Sequence, residues 1–307
     1  MNDPIVINNI IKSYEGLKAL DDISFSIKKN NIFGLVGPDG AGKTTLIRIL
    51  CGLLKPDSGY AELLGMDIKH NSGLIKNKIG YLSQKFSLYP DLTVDENIEF
   101  ISDIHGVKNF EKRRNELLEF TRLLKFRKFL ASQLSGGMKQ KLSLACSLVF
   151  KPEILFLDEP TTGVDPVSRR EFWMILSGLL KENLTILVST PYMDEAERFN
   201  EIALLDNGKL LAKGTPLEVK SLMNEFIIEI VCSPVRKAYR LLKENTEFEI
   251  QIFGDRLNIA ADNFEKNIGI IKEMLDNNSV NITDIRKLSP SLENAFIHLI
   301  KDNAYET

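Results

Sequence analysis

The chain has 307 residues, 44% of them hydrophobic, which is enough for one large domain and a small one. Its formal net charge is −3; residues 225–307 hold 10 Lys and Arg against 14 Asp and Glu, so the first 224 sit at +1, and neither part has the basic surface of a nucleic-acid binder. No apolar run reaches the roughly 18 residues of a membrane span and no signal peptide opens the chain, while Cys51, Cys146 and Cys232 form an odd set without metal spacing, so buried reduced thiols are expected and any membrane role must come through a partner.

In chain order, a short strand is predicted at Ile5–Ile7, and then the apolar run Ile32-Phe33-Gly34-Leu35-Val36 leads into Gly37-Pro38-Asp39-Gly40-Ala41-Gly42-Lys43-Thr44. The periodic residues Leu46, Ile47, Ile49 and Leu50 follow, giving strand, loop and helix. In that order the N–H groups of the loop and of the helix N-terminus converge, which stabilises di- or triphosphate charge. Lys43 is placed to reach the β- and γ-phosphates and Thr44 to present its hydroxyl to Mg²⁺.

A strand at Ile79–Leu82 precedes a helix-rich stretch from Tyr89-Pro90 through Phe126. Ser135-Gly136-Gly137 then opens a helix over Met138–Phe150, a second glycine-rich turn suited to phosphate. Ile154-Leu155-Phe156-Leu157-Asp158-Glu159 has the pattern of a buried parallel strand that ends at a site, with Asp158 placed to hold Mg²⁺ and Glu159 to polarise a water. A further strand at Thr185–Val188 completes a mainly parallel α/β core, and Gly214-Thr215-Pro216 marks its end.

The tail reads as a separate unit: strand Phe226–Val231, a helix opened by Ser233-Pro234 with Ser233 as cap, strands Phe248–Phe253 and Arg256–Ala260 about Gly254-Asp255, helix Phe264–Leu275, strand Val280–Ile285 and a final helix after Ser289-Pro290. This β-α-β-β-α-β order is that of a split βαβ, ferredoxin-like domain.

These motifs resemble those of the ATP-binding-cassette (ABC) ATPases: Gly37 to Thr44 as the Walker A loop, Leu134-Ser135-Gly136-Gly137-Met138-Lys139-Gln140 as the signature, Ile154 to Glu159 as the Walker B strand and Gly163-Val164-Asp165 as the D-loop. The resemblance implies a P-loop NTPase cassette with a helical subdomain over residues 1–218, followed by a small α+β accessory or regulatory domain over 219–307. It implies ATP and Mg²⁺ as ligands, with Tyr14 stacking on adenine, Gly37, Gly40, Gly42, Lys43, Thr44 and Thr45 around the phosphates, and Gln84 joining Thr44 and Asp158 at the metal and Glu159 in catalysis. Ser135, Gly136 and Gly137 would complete the γ-phosphate shell of a second cassette, so a homo- or heterodimer is expected.

The closing Leu288-Ser289-Pro290-Ser291-Leu292-Glu293-Asn294-Ala295-Phe296 resembles the tails of bacterial drug and antibiotic exporters. The expected function is therefore an exporter's ATPase subunit, peripheral at the cytoplasmic face of the membrane through a multi-helix permease and without a nucleic-acid partner. The alternative is a non-transport regulatory or translation-type cassette. The chain departs from the family at Asp39, where asparagine is usual, and at Pro191, where a histidine normally contacts the γ-phosphate. Proline has no side-chain donor, which predicts slow rather than absent hydrolysis.

Overall fold

The computed structural model describes residues 3–180, 183–223 and 225–305. It divides into two compact units, Met1–Pro216 and Leu217–Thr307. The first unit runs β1 (Ile5–Tyr14), β2 (Leu17–Ile27), β3 (Ile32–Val36), α1 (Lys43–Leu50), β4 (Ser58–Leu63), β5 (Met66–Asp67), α2 (Ser72–Lys76), β6 (Ile79–Leu82), α3 (Val94–Ile104), α4 (Glu111–Phe120), α5 (Gly136–Leu148), β7 (Ile154–Asp158), α6 (Pro166–Leu179), β8 (Thr185–Thr190), α7 (Met193–Ala196), β9 (Glu201–Asp206) and β10 (Lys209–Gly214).

Two sheets organise this unit. A six-stranded sheet in the order β10-β9-β3-β8-β7-β6 is parallel except for β10 at one edge. β3, β7 and β8 are buried at every residue, as continuous apolar runs in a covered parallel sheet must be. Parallel pairing aligns their ends: Val36 lies opposite Thr190, and Asp158 opposite Ser189. The loops after β3, β6, β7 and β8 thus emerge at one edge of the sheet, the place where open α/β sheets bind ligands.

The second sheet, β2-β1-β4-β5, is antiparallel and goes beyond the single strand expected at Ile5–Ile7. Asn9 (φ 48°) and Asp22 (φ 60°) sit at facing irregularities in β1 and β2, and the Asn9 amide donates to the Asp22 carboxylate at 2.7 Å. Elsewhere, α3 is closed by a capping box between Thr93 and Glu96, and the buried Asn97 amide donates to the carbonyls of Tyr89, Leu92 and Thr93, which ties the preceding loop to the helix.

The second unit contains α8 (Pro216–Ser221, which crosses the boundary), β11 (Phe226–Ser233), α9 (Val235–Asn245), β12 (Ile250–Phe253), β13 (Arg256–Ala261), α10 (Phe264–Asn277), β14 (Asn281–Leu288) and α11 (Leu292–Tyr305). Its antiparallel sheet has the order β12-β13-β11-β14, the arrangement of a split βαβ unit. Ala238 and Leu242 of α9 and Ile271 and Leu275 of α10 pack with Ile228, Ile230 and Ile259 of the sheet. Ser233 is not a helix cap: it is the last residue of β11, paired with Asn281, and Pro234 precedes α9 without a side-chain cap.

Candidate active site

The loop after β3 needs glycine at defined positions. Gly40 (φ 84°) and Gly42 (φ 99°) are left-handed, and a Cβ on Gly37 or Gly42 would lie 2.2 Å from the Leu205 carbonyl oxygen or 2.4 Å from that of Ala19. α1 begins directly at Lys43 with no side-chain cap, so its first N–H groups face the loop. Lys43 is 3% exposed; its Nζ donates to the carbonyls of Gly37 (2.8 Å) and Pro38 (2.9 Å) and stands 3.3 Å from Glu159 Oε1. A cavity of about 380 Å³ opens here, lined by Tyr14, Ala19, residues 39–45, Gln84 and Glu159, with Asp39 exposed among them. Tyr14 is 45% exposed and offers a ring to a planar ligand.

Asp158 and Glu159 reach the same place from β7. The Asp158 Oδ1 accepts from the hydroxyls of Thr44 (2.9 Å) and Ser189 (2.8 Å), and the Glu159 N–H donates to Ser189 Oγ at 2.9 Å. Glu159 sits in the left-handed region (φ 48°), a conformation costly for a residue with a side chain and held here by its bonds. Its Oε2 accepts from Gln84 Nε2 (2.8 Å) and Thr162 Oγ1 (3.3 Å).

Asp158 is buried, and burial raises its pKa above the usual carboxylate range, against the pull of the two hydroxyl bonds. Its Oδ2 is buried without a hydrogen-bond partner. A desolvated carboxylate oxygen beside the Thr44 hydroxyl is a hard-oxygen donor set, and it fits a cation such as Mg²⁺. Nearby, Tyr81 is half-buried, and that desolvation pushes its phenol up to about 12.

Ser135, Gly136 and Gly137 are not among the residues lining this cavity. Ser135 caps α5 by accepting from the Met138 N–H (3.3 Å), and both Ser135 and Gly136 are exposed. Gly137 is buried, and a Cβ there would lie 2.5 Å from Cβ of Ser168 in α6. Asp165 caps α6 by accepting from the N–H groups of Val167 and Ser168, with Pro166 in the first turn.

Two residues that matter carry no sequence signal of their own. Ser189 bridges the Asp158 side chain and the Glu159 backbone, and Glu195, beyond Pro191, is buried in a cluster with Thr161, Trp173 and Thr190. Only the register of β8 against β7 brings Ser189 to the acids, and that register is a tertiary fact.

Residues 20–162 match the ABC transporter family. The probable multidrug ABC transporter ATP-binding protein YbhF of Escherichia coli is 44% identical over 221 residues, 71% of this chain, and the chain spans only 38% of that protein's length. The daunorubicin resistance ATP-binding protein DrrA3 of Streptomyces coeruleorubidus is 33% identical over 305 residues, covering 97% of this chain and 96% of its own. Among solved structures, a dimeric post-hydrolysis ATP-binding cassette bound to ADP and Pi is 27% identical with a TM-score of 0.64, over 69% of this chain and 98% of its own.

Proposed function

Since this chain belongs to the ABC transporter family, we propose that it is the ATP-binding subunit of an exporter, turning ATP binding and hydrolysis into movement of a separate membrane permease. The convergence of Lys43, Thr44, Asp158, Glu159 and Gln84 on one cavity carries this reading. The phosphates lie in the loop from Gly37 to Thr45, Lys43 neutralises them and Tyr14 receives the base. Mg²⁺, held by Thr44 and Asp158 with Gln84 close by, supplies charge neutralisation at the phosphates when bound. Glu159, kept oriented by Gln84 and Thr162, takes the proton of the attacking water.

A second cassette, a copy of this chain or a different one, supplies Ser135 and the N–H groups of Gly136 and Gly137 to the same ATP. The exposure of Ser135 and Gly136 and the dimeric structural neighbour support this. Among the described residues no helix is long and apolar enough to cross a membrane. The permease has a suitable dock: a cleft of about 580 Å³ lined by Leu53, Tyr81, Tyr89, Phe100, Ile104 and Phe150 together with Leu82 and Ser83. Those last two residues lead directly into Gln84, so an occupant of the cleft bears on the bond to Glu159. The chain accordingly works at the cytoplasmic face of the membrane.

Purification from membranes in mild detergent tests this. A multi-helix membrane protein should co-purify and be released by Leu53→Arg with Ile104→Arg, both exposed positions. A chain that fractionates without any membrane protein would refute the exporter assignment.

A further inference from the structure

Glu195 lies outside the phosphate cavity and has no part in the steps above, yet its carboxylate is 1% exposed and joins three elements. Oε1 accepts from the Thr161 hydroxyl at 2.6 Å and from the Trp173 indole N–H at 3.2 Å, while Oε2 accepts from the Thr190 hydroxyl at 2.6 Å. Arg169 Nε stands 3.6 Å from Oε1 as counter-charge, and the same guanidinium lies 4.4 Å from the centre of the Tyr192 ring. The two hydroxyl bonds are short, and all three donors are themselves buried.

The arms lead to different places. Thr161 adjoins Thr162, whose hydroxyl donates to Glu159. Thr190 Oγ1 also accepts from the Tyr192 N–H at 3.1 Å, closing the turn through Pro191, and the Thr190 carbonyl accepts from the N–H of Gly37, the first glycine of the phosphate loop, at 3.3 Å. Trp173 lies within α6 among Phe172 and Phe199, away from the cavity lining. One carboxylate therefore clamps the turn bearing Glu159 to the turn through Pro191 and to the start of the phosphate loop.

We propose that Glu195 is a positioning residue for ATP hydrolysis: it holds Glu159 and the turn at Thr190–Tyr192 in register, a task that no side-chain donor at position 191 can share. This rests on the hydrolytic reading of the cavity. The chemistry demands a carboxylate, since both oxygens receive hydroxyl protons; an amide in its place turns one acceptor into a donor facing another donor.

The experiment compares steady-state ATPase kinetics and thermal unfolding of the full chain for Glu195→Gln, Thr161→Val and Trp173→Phe. Wild-type turnover by itself decides whether the cavity hydrolyses ATP. Glu195→Gln and Thr161→Val should each lower kcat roughly tenfold with KM for ATP held within about twofold, because misplacement of a reacting group acts on the chemical step. Trp173→Phe, which removes the arm that leads away from the site, should lower Tm and leave kcat near wild type. If wild type turns over and Glu195→Gln matches it, or if kcat falls in all three variants in proportion to lost Tm, the positioning role is wrong while the hydrolytic reading stands. Should Glu195→Gln not fold, Thr161→Val and Thr190→Val, each cutting one arm, decide the question by the same comparison with Trp173→Phe.

Discussion

The molecule has two glycine-rich turns that we propose hold phosphate, and they differ in how much of their bonding is completed within one chain. Around Gly37 to Thr44 the functional side chains are bonded within the chain: Lys43 with loop carbonyls and Glu159, Thr44 with Asp158, Glu159 with Gln84. At Ser135–Gly137 the hydroxyl serves only as a helix cap, and Ser135 and Gly136 face outward. The first turn is a site that one chain can assemble. In the proposed dimer the second is half of a site, and its glycines differ in surroundings, Gly137 leaving room for Ser168 inside the chain and Gly136 meeting open space.

The largest expected break in this comparison comes from Glu159→Gln. Loss of a general base costs about 10²–10⁴ in rate, so phosphate release should nearly stop while ATP and Mg²⁺ hold the two turns together across a dimer. Light scattering reads the assembly. Monomer alone under those conditions would show that the chain does not pair with itself and that a different cassette provides the second turn.

Lys43→Ala tests the finished turn by itself. Nζ is the loop's own side-chain cation, and a hydrogen bond to a charged partner is worth about 1.5–3 kcal/mol, so ATP affinity should fall roughly ten- to hundredfold. Equal affinities by calorimetry would remove the loop from ATP binding.

A paired substitution sharpens the contrast between the two glycines of the open turn. A Cβ at Gly136 meets nothing within 4 Å, so Gly136→Asp should keep monomer Tm and ATP affinity and lose only ATP-dependent dimerisation. Gly137→Ala drives a methyl against Ser168 and should lower Tm, by overpacking worth about 1–3 kcal/mol. If Gly136→Asp dimerises with ATP as wild type does, the exposed turn contacts no second nucleotide.

What could be read from the chain follows the same division. The proposed phosphate chemistry rests on contiguous residues, so Gly37–Thr44, Ser135–Gly137 and Asp158-Glu159 stand out without a structure. The antiparallel sheet was hidden beyond Ile5–Ile7 because the facing irregularities at Asn9 and Asp22 break the period of two: Ile7 and Ile10 are both buried, as are Leu20 and Ile23. Ser233-Pro234 imitates a helix start because the cap-and-proline rule is local, whereas β11 claims Ser233 through pairing with Asn281. Ser189 bonds to Asp158 and Glu159, and Glu195 to Thr161 and Trp173, pairings set by the fold rather than by adjacent sequence, whereas the bond from Thr190 to Glu195 is local.

The smallest expected effect concerns position 191, just after β8, where the resemblance to the family implies a histidine donor and this chain has proline. Pro191 follows Thr190, whose carbonyl is bonded to Gly37 and whose hydroxyl is bonded to Glu195, so the backbone there is well held even without a side-chain contact to phosphate. Lys43, Thr44, Asp158 and Glu159 remain in place, and the rate should be low rather than zero. A transition-state hydrogen bond can be worth about 10²–10³ in rate, but a histidine inserted into a turn shaped by proline recovers only part of that, because proline also biases the residue before it toward extended backbone. Pro191→His should thus raise kcat by roughly two- to tenfold, a fraction of that full range, with ATP affinity unchanged by calorimetry. If wild type already turns over as fast as Pro191→His, the clamp around Glu195 and Thr190 is sufficient alignment, and the proline imposes no kinetic penalty on this site.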